Sequence, residues 1–140
     1  MIRVLNVDDN GDVRRGVARV LSAPGTGFSV VGSCETAEEA LKLLDAGLQF
    51  ELALLDLGLP GRSGHDVIRA VRRSRPRAVA LAFTVFDDAP SIFEALRAGA
   101  SGYLLKDTPP DRLLAAMKEA LNGGAPMSPA VARMVVESFS

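Results

Sequence analysis

The hydrophobic positions of the chain fall into two alternating kinds of run. Short, nearly continuous apolar stretches occur at Ile2 to Val7, Phe28 to Gly32, Leu52 to Leu55, Ala78 to Phe83 and Gly102 to Leu105. After each comes a stretch whose apolar residues recur three and four apart: about Val13 to Leu21, Ala37 to Ala46, Asp66 to Arg73, Ser91 to Ala98 and Asp111 to Leu121. The first kind predicts strands and the second predicts amphipathic helices. Leu52-Ala53-Leu54-Leu55 is apolar on both faces of a strand, which suits a sheet covered by helices on both sides. Strict alternation of strand and helix predicts an α/β fold of five βα units, with a parallel sheet and right-handed crossovers.

Local signals punctuate these runs. Thr36 with Glu39 three residues later reads as a capping box. Gly47 and Gly99 fall where helices should stop, and Pro110 falls where one should start. Asn122-Gly123-Gly124 ends the fifth helix. Beyond it, Ser128-Pro129 starts a further short helix through Val135, with Val131, Met134 and Val135 on one side. Residues 1–124 are therefore expected to form the domain. Residues 125–140 form either an extra helix packed back on it or a linker to an output domain.

Composition narrows the function classes. A chain of 140 residues, 48% of them apolar, is sized for one domain with one core. A formal net charge of −1 gives no footprint for nucleic-acid binding by this chain alone. Arg69, Arg72, Arg73, Arg75 and Arg77 read as a solvated helix end. Cys34 is the only cysteine, which leaves no internal disulfide and no thiolate zinc site. The N-terminus lacks the pattern of a secretory signal, and no apolar run reaches the ~18 residues of a membrane span. A soluble, cytoplasmic protein that does not engage membranes is expected.

In an open parallel sheet, ligands bind beyond the carboxyl ends of the strands, where the strand order switches. Strand one ends in Asp8-Asp9, strand three in Asp56, strand four in Thr84 and strand five in Lys106. Each feature alone is commonplace, as a turn, a cap or a surface pair. Their convergence on one edge is selective. Carboxylates sharing one cleft raise each other's pKa, a conflict that a divalent cation relieves. Oxygen-only ligands favour magnesium, which takes few carboxylates and leaves room for a phosphate oxygen. Lys106 supplies a compact cation for phosphate, Thr84 a hydroxyl donor, and a carboxylate can form an aspartyl phosphate.

These residues resemble the receiver domains of two-component response regulators. The stretches are Val7-Asp8-Asp9-Asn10, Leu55-Asp56-Leu57-Gly58-Leu59-Pro60-Gly61, Phe83-Thr84 and Gly102-Tyr103-Leu104-Leu105-Lys106-Asp107, and the likeness spans Ile2 to Leu121. Gly99 to Asp107 and Gly123 to Pro129 look like the NarL/LuxR subfamily. The resemblance implies a flavodoxin-like doubly wound sheet of order 2-1-3-4-5. It implies Asp56 as phosphoacceptor from a sensor histidine kinase. Asp9 would be a direct Mg2+ ligand, Asp8 would act mainly through water, and the Gly58 carbonyl would be a further ligand. Thr84 and Lys106 would bind the phosphoryl oxygens, with Thr84 and Tyr103 as the switch pair. Such a domain catalyses only its own phosphorylation and dephosphorylation. It can form a homodimer when phosphorylated, and reaches DNA only through an output domain absent from this chain.

Two positions depart from the family pattern. Val85 stands where receivers often carry a small residue, and Phe86 where many are polar. With Gly58 they are expected to tune phosphoryl lifetime, by crowding the phosphoryl group. His65 is expected at the surface or at a helix start, and Phe50 and Phe93 in the core. A dehalogenase-type phosphatase would need a general acid where Gly58 stands, and glycine cannot transfer a proton. The remaining alternative is a receiver-like interaction module that works without phosphate.

Overall fold

A computed structural model describes residues 1–140. The strands are β1 (Ile2–Val7), β2 (Phe28–Cys34), β3 (Leu52–Leu55), β4 (Val79–Thr84) and β5 (Gly102–Leu105). The helices are α1 (Gly11–Ser22), α2 (Ala37–Asp45), α3 (Gly64–Ser74), α4 (Ala89–Ala98), α5 (Pro110–Leu121) and α6 (Pro129–Glu137). All strand pairs are parallel, in the order β2-β1-β3-β4-β5. This is the expected flavodoxin-like arrangement, with helices on both faces.

Side-chain alternation along the strands sorts the core into two halves. Leu5, Val7, Ala53, Leu55, Ala80, Ala82 and Tyr103 face α2, α3 and α4. Val4, Leu52, Leu54, Leu81, Phe83 and Leu104 face α1 and α5. Small alanines on the first face leave room for the fully buried Val67, Ile68, Val71 and Ile92 of α3 and α4. Large residues on the second face fill the space under only two helices.

Helix ends follow local chemistry. The Thr36 hydroxyl accepts from Glu39 N–H at 3.1 Å, completing the expected cap. Gly99 closes α4 at φ +109°, a left-handed conformation that a side chain would strain. Three helices begin earlier than periodicity predicts. Asn10 caps α1, accepting from Asp12 and Val13 N–H, and Asp88 caps α4, accepting from Ser91 N–H. α3 begins at Gly64, because its first turn packs directly behind the Asp56-Leu57 peptide, and Gly64 N–H donates to Leu57 O at 3.1 Å.

Other expectations need correction. His65 lies at a helix start but not at the surface: it is buried, with Nε2 3.1 Å from Ser91 O, tying α3 to α4. The arginines are not all solvated. Arg75 donates to the carbonyls of Leu44 and Leu48 at 3.0 and 2.8 Å, and Arg72 donates to those of Ala78 and Pro76, so both satisfy carbonyls at the end of α2 and in the following loops. Phe50 is buried and Phe93 half-buried.

Past α5, the chain runs beside β5. Tyr103 N–H donates to Pro126 O at 3.0 Å, Ser128 N–H donates to Tyr103 O at 3.1 Å, and Leu105 N–H donates to the Ser128 hydroxyl at 2.9 Å. α6 then buries Val131 in the core on the α2–α4 side, with Met134 and Val135 packed against it.

Gly64 offers a test of this packing. A Cβ there would overlap the Asp56 carbonyl oxygen and crowd Leu57 Cα, both of them backbone. Gly64→Ala should lower stability by about 3 kcal/mol, the upper end of overpacking costs, as read from urea unfolding.

Candidate functional site

Strand register builds the site. Val7 pairs with Leu55 across β1 and β3, so the next residues, Asp8 and Asp56, leave adjacent strands side by side. Asp8 N–H is fixed to Cys34 O and Asp56 N–H to Val7 O, both at 2.9 Å. Thr84 pairs with Leu105 across β4 and β5, and Lys106 N–H donates to Thr84 O at 3.0 Å. Lys106 is thus one residue beyond the sheet and turned toward β1 and β3. Its ammonium donates to Asp56 Oδ2 at 3.2 Å and lies 2.8 Å from Asp8 Oδ2. Carboxylate oxygens of Asp8, Asp9 and Asp56 all lie within 4.8 Å of one another.

The three acids differ in surroundings. Asp8 and Asp56 are buried, whereas Asp9 is exposed. Asp8 Oδ1 accepts from Asn10 N–H at 2.9 Å, and Asp56 Oδ1 accepts from Gly58 N–H at 3.3 Å. Burial raises the Asp8 carboxyl above its ordinary pKa, and the Asp56 charge adds to this; Lys106 and the Asn10 amide oppose it without prevailing. Burial works to lower the Lys106 ammonium, but its bond to Asp8 and the charges of Asp56 and Asp8 leave it raised. Three carboxylates face one ammonium, so negative charge is left uncompensated. An oxygen-only donor set of this kind fits a hard divalent cation.

Thr84 and Tyr103, expected to act as a switch pair, are joined through Phe86. Thr84 is fully buried, and its hydroxyl accepts from Phe86 N–H at 3.3 Å. Tyr103 is also fully buried, and its hydroxyl donates to Phe86 O at 2.7 Å. The Phe86 backbone therefore touches both hydroxyls. Its ring packs on Gly58: a Cβ at Gly58 would lie 2.9 Å from ring Cε2 and 3.1 Å from Cζ. Val85 behaves differently. Its side chain points outward, with the residue 67% exposed.

Sequence reasoning missed Asn10, Arg14 and Gly64. Asn10 carried a legible signal, an N-cap residue directly before a helix. Arg14 carried none, since its Nη1 reaches back to Asp8 O only in the folded chain, at 2.6 Å. A groove of about 690 Å³ between α5 and residues 126–130 contains none of Asp8, Asp9, Asp56, Thr84 and Lys106. The acid cluster lies instead at the carboxyl edge of the sheet, between β1 and β3.

The raised Asp8 carboxyl gives a stability prediction. Its folded pKa lies above the unfolded one, so its contribution is fully present below the ordinary aspartate value and is lost as pH rises through the raised value. At neutral pH the ionised group is a cost. Asp8→Asn, with chelator present, should therefore melt at a higher temperature than the wild type by scanning calorimetry.

Comparison with known proteins agrees with this geometry. The family model of the response regulator receiver domain matches residues 4–118. The chain is 38% identical over 136 residues to response regulator GacA of Pseudomonas protegens, covering 97% of this chain and 63% of that protein. It is 33% identical over 137 residues to the nitrate/nitrite response regulator NarL of Escherichia coli, covering 97% and 62%. It thus spans under two thirds of those relatives' length. A crystal structure of a LuxR-family two-component response regulator from Aurantimonas sp. SI85-9A1 superposes with a TM-score of 0.89 at 32% identity, covering 99% of this chain and 98% of that one. The signal receiver domain of a NarL-type regulator from Mycobacterium tuberculosis gives 0.79 at 35% identity, covering 87% and 97%. With the fold, the strand-end acids and these relatives in agreement, the chain belongs to the receiver-domain family of response regulators, in its NarL/LuxR-type branch.

Proposed function

We propose that Asp56 accepts a phosphoryl group from a phosphohistidine of a sensor histidine kinase, and that the resulting change controls an output joined to the C-terminus. The observation that carries this reading is the Lys106 ammonium bridging Asp8 and Asp56 at the open strand edge. An Asp56 carboxylate oxygen bonds to phosphorus as the phosphorus–nitrogen bond to histidine breaks, and the imidazole leaves with the bond's electron pair. Asp9 directly, Asp8 through water, Asp56 and the Gly58 carbonyl would hold Mg2+. When bound, the ion would neutralise charge on the transferring phosphoryl group. Lys106 and the Thr84 hydroxyl take the remaining phosphoryl oxygens. We read the domain as a phosphoacceptor that acts on itself, with no external substrate to turn over.

The switch follows from the contacts of Phe86. If the Thr84 hydroxyl turns toward a phosphoryl oxygen, the Phe86 N–H bonded to it must adjust, and with it the carbonyl that receives the Tyr103 hydroxyl. The Tyr103 backbone in turn carries residues 126–128 and the start of α6. Residues 125–140 are on this reading the element that links the domain to its output, a DNA-binding transcription module. Phosphorylation would bias one arrangement of this chain of contacts and favour a homodimer. The setting is cytoplasmic, and no helix is long and apolar enough to cross a membrane.

Phe86 also bears on phosphoryl lifetime. Its ring packs on Gly58, which on this reading restricts the approach of the attacking water, and Phe86→Glu should speed loss of the phosphoryl group by roughly tenfold, a change of ~1.4 kcal/mol in barrier. Val85→Ala should have the smaller effect, given its outward side chain. Decay of phosphorylated protein on phosphate-affinity gels checks both. The function itself is tested by NMR with Mg2+ and beryllofluoride, an acyl-phosphate mimic. The Thr84, Tyr103 and Lys106 amides should shift in wild type and stay unmoved in Asp56→Asn.

A further inference from the structure

Arg14 and Arg15 are neighbours on α1 with opposite surroundings. The Arg15 side chain lies in solvent, 69% exposed, and pairs with Asp12. The Arg14 side chain is only 22% exposed and folds back over the start of its helix. Its Nη1 donates to the backbone carbonyl of Asp8 at 2.6 Å, and its Nη2 lies 3.9 Å from Glu35 Oε2 at the end of β2.

The bonded atom matters. The Asp8 carbonyl oxygen belongs to the rigid plane that also holds the nitrogen and Cα of Asp9. The Asp8 N–H is already fixed to Cys34 O, and the next peptide is held by the Asn10 N–H on Asp8 Oδ1. With Arg14 on the carbonyl, the backbone on both sides of Asp9 is tethered. The Asp9 carboxylate itself is exposed and points into the acid cluster. A free carboxylate on a tethered backbone is a preorganised ligand arm.

We propose that Arg14 is a positioning residue that holds the Asp8-Asp9 peptide so that Asp9 can take a divalent cation. The inference rests on the metal reading given above. Two effects of Arg14 on cation binding have opposite signs. Its own positive charge near three carboxylates opposes the cation, so deleting it should tighten binding if charge were all that mattered. Its hold on the peptide favours the cation, so deletion should weaken binding if positioning dominates. Second-layer contacts of this kind are commonly worth tenfold or more in metal affinity.

The test is Mg2+ titration by isothermal calorimetry on the full chain, comparing wild type, Arg14→Ala, Arg14→Lys and Arg15→Ala. Arg14→Ala should raise the Mg2+ Kd by about tenfold. Arg14→Lys should recover part of the loss through a single donated hydrogen bond. Arg15→Ala removes the same charge from the solvent-facing neighbour and should leave the Kd unchanged or slightly lower. In chelated protein, Asp9 and Asn10 amides should exchange faster in Arg14→Ala than in Arg15→Ala. An Arg14→Ala Kd equal to or tighter than wild type, with unchanged Asp9 and Asn10 exchange, overturns the proposal while leaving the metal reading in place. If Arg14→Ala does not fold, Arg14→Lys and Arg14→Gln carry the same comparison. No Mg2+ binding by wild type overturns the metal reading and this inference together.

Discussion

The structure turns on a charge conflict at the edge of the sheet. Register between β1 and β3 forces Asp8 and Asp56 side by side, and Asp9 completes a cluster within 4.8 Å. Burial makes the ionised Asp8 costly, and Lys106, one residue past β5, offsets only part of that cost. Such an arrangement is poor for stability and useful for chemistry, since added positive charge or a transferred phosphoryl group can change the local balance. The surrounding backbone is fixed accordingly. Cys34 O, Val7 O, the Asn10 amide and the Gly64 contact hold the loops that carry the acids.

Around this cluster the contacts form a continuous route. Thr84 meets Phe86 through its hydroxyl, Phe86 meets Tyr103 through its carbonyl, and Tyr103 meets residues 126–128 through its backbone. His65 makes a second link, from the start of α3 behind Asp56 to the first turn of α4. A change at Asp56 therefore has physical paths to α4 and α6. The first joins the buried Thr84 and Tyr103 through the backbone of the exposed Phe86, and the second runs through the buried His65.

Much of this was legible in the sequence because the fold is periodic. Alternating strand and helix patterns placed every element to within a few residues, and a parallel sheet put the strand-end residues Asp8, Asp56, Thr84 and Lys106 on one edge. What periodicity could not carry was side-chain direction in the loops. Val85 and Phe86 looked equivalent, yet one faces solvent and the other packs on Gly58. The role of Gly64 depends on the Asp56 backbone behind it, which no local pattern shows. Arg14 and His65 find their partners on other elements, which periodicity does not show. His65, expected at the surface or at a helix start, opens α3, and a hydrogen bond with Ser91 O satisfies it in the interior.

The most direct test is intact-mass analysis after incubation with Mg2+ and a small phosphodonor such as acetyl phosphate, followed by reductive trapping and peptide mapping of the modified residue. The account predicts one phosphoryl-sized gain in wild type, mapped to Asp56, and none without Mg2+. A gain mapped to any other residue, or one that persists undiminished in chelator, would contradict it.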